Sequence, residues 1–210
     1  PQRSGGRDLK KDLMTTDLFR KIIDDLAKFP DLVKLLRICG TGEPLINKDI
    51  VSMLQYARAP IKAERIELVT NGSLLTTDLI RALPPLLDRI IISIEGLCSD
   101  DYQRTCDAKV NFKKLIENIG DLYACKGKCL IHIKIADAAV HPEERRKTMF
   151  LNTFGDVCDE IYIEKLVPMW PQFDSACSPD TFRWDGMLVM HQICAQIFKG
   201  VQVQADGEVV

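Results

Sequence analysis

Histidine, tryptophan and tyrosine are scarce in this chain, at three, two and four among 210 residues. No apolar run approaches the roughly 20 residues that cross a bilayer, so no membrane-spanning helix is expected. Charge of one sign is missing too: 28 Lys and Arg stand against 30 Asp and Glu, for a formal net charge of -2. The basic residues are scattered rather than gathered in a stripe, which argues against a nucleic-acid partner. The pattern of a secretory signal peptide is absent. So is a starting methionine. The chain opens at Pro1 and closes at Val210 inside a strand-like run, and both ends read as cut.

What is present is a composition of 46% hydrophobic and 28% charged residues. It fits one α/β domain, or one domain plus the beginning of another. Eight cysteines stand at 39, 98, 106, 125, 129, 158, 177 and 194. The apolar content suffices for a core, so the cysteines read as reduced thiols of a cytoplasmic protein rather than a disulfide framework.

Strand-like and helix-like runs alternate along the chain. Helical periodicity covers Thr16 to Lys28, with Leu18, Phe19, Ile22, Ile23 and Leu26 on one face. Strands are expected at Leu35 to Cys39, Arg65 to Thr70, Arg89 to Ile94, Leu130 to Ile135 and Glu160 to Lys165. Helices are expected at Lys48 to Ala57, Thr76/Thr77 to Leu87, Ser99 to Thr105, Asn111 to Tyr123 and Pro142 to Phe154. Repeated βα units imply parallel strands joined by right-handed crossovers. The first helix lacks a preceding strand. The expected fold is therefore α/β, a partial (β/α)6 TIM-like barrel whose first strand lies upstream of Pro1; a doubly wound open sheet is the alternative. In Ile90 to Glu95, Ser93 and Glu95 share the face opposite Ile90, Ile92 and Ile94; in Leu130 to Ile135, His132 and Lys134 alternate with isoleucines. Outer helices demand the apolar face, so the polar set is expected in the lumen near the carboxyl-end mouth.

Cys39-Gly-Thr-Gly-Glu-Pro-Leu-Ile-Asn-Lys48 puts a glycine-rich turn with one carboxylate at the carboxyl end of a strand. Glycines there admit close approach of the backbone to a ligand. The turn resembles the Gly-Gly-Glu motif of radical S-adenosylmethionine (radical SAM) enzymes. Val69-Thr-Asn-Gly-Ser73 is similar to that family's Thr-Asn-Gly turn, and Ser93-Ile-Glu-Gly96 to its Ser-Ile/Leu-Asp-Gly. Asp100-Asp-Tyr-Gln-Arg104 and Phe112 to Ile119 resemble the helices that follow.

The resemblance implies that Thr41, Gly42 and Glu43 hold the methionine amine of S-adenosylmethionine by charge-assisted hydrogen bonding. Ser93 and Glu95 become candidates for the ribose hydroxyls, or caps of a strand end. Asn71 orders its turn or touches the cofactor. Lys134 meets the cofactor carboxylate, or forms an internal ion pair with Glu95 or Glu67. His132 reads as a packed, satisfied histidine. The family's 4Fe-4S cluster is held by three cysteines in a C-x3-C-x2-C loop after strand one, expected just ahead of Pro1. Without that loop the fragment is expected to be inactive. With it, an electron cleaves the sulfonium to a 5′-deoxyadenosyl radical that abstracts a substrate hydrogen. Cys125-x3-Cys129-x2-His132 imitates the spacing but runs from a helix end into the wrong strand, and reads as structural or incidental.

At the carboxyl end, Cys194 is followed by twelve residues and then Gly207, within an alternating run that reads as a β-hairpin with a type I′ turn at Asp206-Gly207. This resembles the start of a SPASM or twitch extension, which makes Cys194 a candidate ligand of an auxiliary iron–sulfur cluster, or else a buried thiol. The division is then 1–170 for the barrel and 171–210 for linker and extension. The implied partners are a small-molecule or peptide substrate and an electron donor such as flavodoxin or ferredoxin. Two other functions compete: a barrel lyase using Lys134 as a Schiff-base amine, and a non-catalytic scaffold that has lost its cluster.

Overall fold

The structure is a computed structural model that describes residues 13–40, 42–59, 63–141, 143–165 and 200–209. Its elements run α1 (Thr16–Ala27), β1 (Leu36–Ile38), α2 (Ile50–Arg58), β2 (Ile66–Thr70), α3 (Thr77–Ala82), β3 (Arg89–Ile94), α4 (Ser99–Cys106), α5 (Phe112–Cys125), β4 (Leu130–Ala136), α6 (Asp137–Val140), α7 (Glu144–Phe154) and β5 (Glu160–Glu164). Side chains of Thr15, Thr76 and Asn111 accept the backbone N–H of Leu18, Leu79 and Lys114, and so start α1, α3 and α5. Helix α3 stops at Ala82, short of the expected Leu87. Pro84 and Pro85 lack N–H donors, and Pro84–Leu86 continue only as a 3-10 turn. The helix expected from Pro142 to Phe154 is α7, and the short α6, which was not expected, precedes it directly at the end of β4.

All five strands are parallel and lie in the order β1-β2-β3-β4-β5. Sequential order with right-handed crossovers puts every connecting helix on the same face. The core agrees: Leu54 of α2, Ile80 of α3, Leu115, Ile119 and Leu122 of α5, and Phe150 and Phe154 of α7 pack on the isoleucines and leucines of β2, β3 and β4. Phe19 and Ile23 of α1 form a second cluster with Met53 and Ala57 of α2. A doubly wound sheet reverses its strand order and has helices on both faces, so that alternative is overturned.

Strand alternation leaves Arg37, Glu67, Arg89, Ile91, Ser93, His132, Lys134, Tyr162 and Glu164 on the face away from the helices. The polar residues at this open face are therefore placed as the strand phase demands.

Residues 203–209 make a hairpin-like turn, with Val203 bridged to Val209 and Gly207 N donating to Gln204 O at 3.0 Å. Its loop differs from the expected type I′. Gly207 alone has a positive φ, of 91°, whereas type I′ needs one at both central residues. The arrangement is a three-residue loop, Ala205 to Gly207, that ends in a left-handed glycine.

Candidate functional site

Glu43 caps the 3-10 turn Pro44–Ile46, and its carboxylate ties that turn to the end of β2. Oε1 accepts from Leu45 N at 3.0 Å and from Thr70 Oγ1 at 2.7 Å, while Oε2 accepts from Asn71 N at 2.7 Å. Of the roughly four lone-pair positions on a carboxylate, one on Oε2 is left for a further donor. Thr70 is buried and links both sides of this contact, because its Oγ1 also accepts from Gly72 N at 3.0 Å. Gly72 has φ 74°, and a Cβ there would lie 3.2 Å from both Ile92 and Leu115, so this position requires glycine. Asn71 turns inward on its own loop: Oδ1 accepts from Ser73 N at 2.9 Å and Ser73 Oγ at 2.7 Å. Its side chain thereby orders the turn.

The sequence reasoning missed Thr70. Its signal was a hydroxyl at the last position of a strand, directly before Asn-Gly. Gly42 lies beside Glu43, exposed, and a Cβ on it or on Gly40 would meet nothing within 4 Å. The protein itself does not demand glycine at either point. Thr41 lies outside the described residues.

Two strands further on, Ser93 is in register with Lys134, and Lys134 with Tyr162. Lys134 Nζ donates to Glu164 Oε2 at 2.6 Å. The expected partners, Glu95 and Glu67, are thus corrected to Glu164, which lies on the neighbouring strand at the same end of the sheet. Glu67 sits at the opposite end, wholly buried among Arg37, Arg65 and Arg89. Glu95 is exposed at the rim, yet enough protein surrounds its carboxyl that desolvation raises its pKa, against the lowering effect of the Lys134 charge. Among the described residues, no hydrogen bond reaches the Glu95 carboxylate or the Ser93 hydroxyl. Glu95 is held by its backbone, whose N–H donates to the buried Tyr102 hydroxyl at 3.3 Å.

Asp101 was also missed, and it shapes the loop after β3. It is buried and accepts from Leu97 N at 2.8 Å, from Arg146 at 2.6 Å and from Arg104. Burial pushes its carboxyl up, but these donors outweigh that and hold it below the ordinary range. A Cβ on Gly96 would come within 2.3 Å of Asp101 Cβ, so the glycine after Glu95 lets α4 approach the strand end.

His132 is buried on the open face, with Nδ1 3.0 Å from Glu160 Oε2. Burial and the Arg89 charge lower its pKa. Cys129 lies on the other side, in the helix-facing core, with its thiol pushed up to about 12 by burial. The residues that imitate a ligand spacing therefore face opposite sides of β4. Among the described residues, no group of three or more His, Cys, Asp or Glu side chains is placed to hold a metal ion. Cys194 lies outside the described residues. None of the described helices is long and apolar enough to cross a membrane.

The family model of the Radical SAM superfamily matches residues 2–135, nearly two thirds of the chain. The chain belongs to the radical SAM superfamily. Membership implies S-adenosylmethionine and a 4Fe-4S cluster as the family's cofactors. A Pyrococcus furiosus protein described as "Tungsten-containing aldehyde ferredoxin oxidoreductase cofactor-modifying protein" is 34% identical over 85 residues, 40% of this chain and 23% of that protein. The GTP 3',8-cyclase of Petrotoga mobilis is 33% identical over 87 residues, 41% of this chain and 26% of that one. This radical SAM chain thus aligns with about a quarter of the length of these curated relatives. In fold it is similar to the crystal structure of Streptococcus suis SuiB bound to S-adenosylmethionine, with TM-score 0.55 and 13% identity over 80% of this chain and 37% of that one. That likeness concerns the fold alone.

Proposed function

We propose that this chain is the cofactor-holding barrel of a radical SAM enzyme that removes a hydrogen atom from a small-molecule or peptide substrate. The observation that carries the reading is the pair of polar side chains, Ser93 and Glu95, that no hydrogen bond reaches among the described residues, beside Lys134 and across the sheet end from a Glu43 locked by three hydrogen bonds. A carboxylate without a partner at a half-enclosed rim suits a diol, whose two hydroxyls it can accept together. An oriented carboxylate with one acceptor position left suits an ammonium group. Lys134, steered by Glu164, carries a positive charge for a carboxylate. These residues fit S-adenosylmethionine. The described residues supply no cysteine triad for the 4Fe-4S cluster, whose ligands we assign to sequence ahead of Pro1.

When bound, S-adenosylmethionine and the cluster supply a hydrogen-abstracting radical by one-electron reductive cleavage of the sulfonium. The chain's own part is placement. Glu43 and Lys134 fix the amino-acid end, and Ser93 and Glu95 fix the ribose. We further assign a sixth strand to sequence upstream of Pro1, which with residues 1–170 completes a (β/α)6 partial barrel. Residues 171–210 are read as a linker and the start of a SPASM or twitch extension, with Cys194 a ligand of an auxiliary cluster. The enzyme is placed in the cytoplasm, with flavodoxin or ferredoxin as electron donor.

The test is anaerobic reconstitution of the intact protein with iron and sulfide, followed by S-adenosylmethionine and dithionite. Release of 5′-deoxyadenosine supports the reading. A protein that takes up no cluster, or one that takes it up and releases none, sinks it.

A further inference from the structure

The amino end of the open face is cationic. Arg37, Glu67 and Arg89 are register partners across β1, β2 and β3, and Arg65 shares their face by strand alternation. Glu67 is wholly buried and takes all three guanidiniums, at 2.8 Å for Arg37, 2.6 Å for Arg65 and 3.0 Å for Arg89. One carboxylate against three guanidiniums leaves two positive charges. Arg65 Nε is spent on Glu67 Oε1 at 2.6 Å, so the donors left for a ligand are the terminal nitrogens on the outer edges of the forks. The side chains of Arg37 and Arg65 are 45% and 41% exposed, so the outer edges of their forks are open to a ligand. Above this layer, His132 is the next polar group on the face, and its pKa is lowered by burial and by Arg89, which adds no further charge to the cluster near neutrality.

A buried Glu67 needs one guanidinium to neutralise it, and an apolar residue in its place would avoid the desolvation altogether. Three arginines on one acid make sense as a pre-arranged site, because the buried acid holds the forks in position before any ligand arrives. We propose that Arg37, Arg65 and Arg89 form an anion-binding floor that takes a phosphate group of the substrate. The two surplus charges match the roughly -1.5 to -2 of a phosphate monoester near neutral pH. Planar forks suit its oxygens bidentately.

Four residues separate Arg89 from Ser93 along β3, a rise of about 13 Å. The floor and the cofactor-holding rim are thus about that far apart along the strand, with Ile91 and His132 between them. The location of the reacting end rests on the cofactor reading above; phosphate binding itself does not.

The test is calorimetric titration of inorganic phosphate and of glycerol phosphate into the intact protein at low ionic strength, with no S-adenosylmethionine present. Both ligands are expected to bind, more weakly as salt is added. Arg37→Gln and Arg65→Gln are each expected to weaken both by about tenfold or more, the loss expected for a hydrogen bond to a charged group. Should Arg37→Gln fail to fold, Arg37→Lys keeps the charge facing Glu67 but loses the fork, and must still bind phosphate less tightly. Equal affinity in wild type and variants overturns the site. Binding of inorganic phosphate with glycerol phosphate refused overturns the assignment to substrate. A separate titration with S-adenosylmethionine distinguishes this proposal from the cofactor reading: no binding there defeats that reading and leaves the phosphate result standing.

Discussion

Asp88 and Asp159 perform the same task in two different βα units. Each stands one residue ahead of a strand, and each accepts a backbone N–H at the start of the neighbouring strand, Ile66 N of β2 and Ile131 N of β4, both at 2.7 Å. Each also pairs with a base at the end of the helix that leads into that neighbouring strand, Arg58 of α2 at 2.9 Å and Lys126 after α5 at 2.8 Å. An N–H near the start of a parallel strand, where the neighbouring strand has not yet begun, lacks a ladder acceptor, and the acid supplies it.

This relationship has a signed pH consequence. Burial pushes both carboxyls up, but the side-chain and backbone hydrogen bonds outweigh it and hold both below the usual range. A lowered folded pKa adds stability above the unfolded value of about 3.9, and that stability is lost as pH falls through the lower folded value. Asp88→Asn and Asp159→Asn are expected to lose about 1 kcal/mol each at pH 7. The gap from wild type should shrink in urea titrations as pH approaches 3; a gap that widens there refutes the assignment.

Glu43 acts as both a loop staple and a cofactor ligand in this scheme. Glu43→Gln keeps its shape but loses the charge and turns an amide donor toward a donor of the loop, so S-adenosylmethionine affinity should fall by about tenfold or more and stability by about 1–3 kcal/mol. Thr70→Val removes a donor to Glu43 and the acceptor of Gly72 N–H. It should destabilise by about 1–3 kcal/mol, since it strands a buried N–H. Equilibrium dialysis with labelled cofactor and denaturant melts separate the two effects.

Glu95 must be ionised to accept both ribose hydroxyls. Desolvation raises its pKa, so cofactor binding should weaken on the acid side, starting above the ordinary carboxyl range. Glu95→Gln should bind less tightly and lose this limb of the profile. A wild-type profile unchanged down to the ordinary carboxyl range would show that Glu95 takes no part.

Lys134 separates the radical reading from a Schiff-base lyase. Its ammonium is engaged by Glu164 at 2.6 Å, whereas imine formation needs the nitrogen lone pair free. Borohydride with pyruvate as the carbonyl probe should leave no adduct mass on Lys134. Lys134→Met should weaken S-adenosylmethionine binding instead.

Phe150 and Phe154 are fully buried on α7 and pack against each other, with Phe112 edge-on to Phe154. Phe154→Ala should cost about 3–5 kcal/mol, measured as a shift of the urea midpoint with an unchanged slope.

Much of the fold was legible because periodicity is local. The isoleucines of β3 and β4 alternate with Ser93, His132 and Lys134, and that phase fixes which face meets helices. Breaks driven by backbone chemistry were less visible. Pro84 and Pro85 end α3 early, and the left-handed Gly207 sets a three-residue loop where the Asp-Gly pair read as type I′.

The amino-acid sequence by itself determined the succession of βα units, the apolar face of each strand and the family motifs at the strand ends. Tertiary structure decided the partners. Lys134 goes to Glu164, Thr70 and Asn71 N–H go to Glu43, and three arginines converge on Glu67. The reason is physical: hydrophobic period is carried by neighbours along the chain, while a charge chooses among residues some thirty positions away according to which strand ends up beside it and in what register.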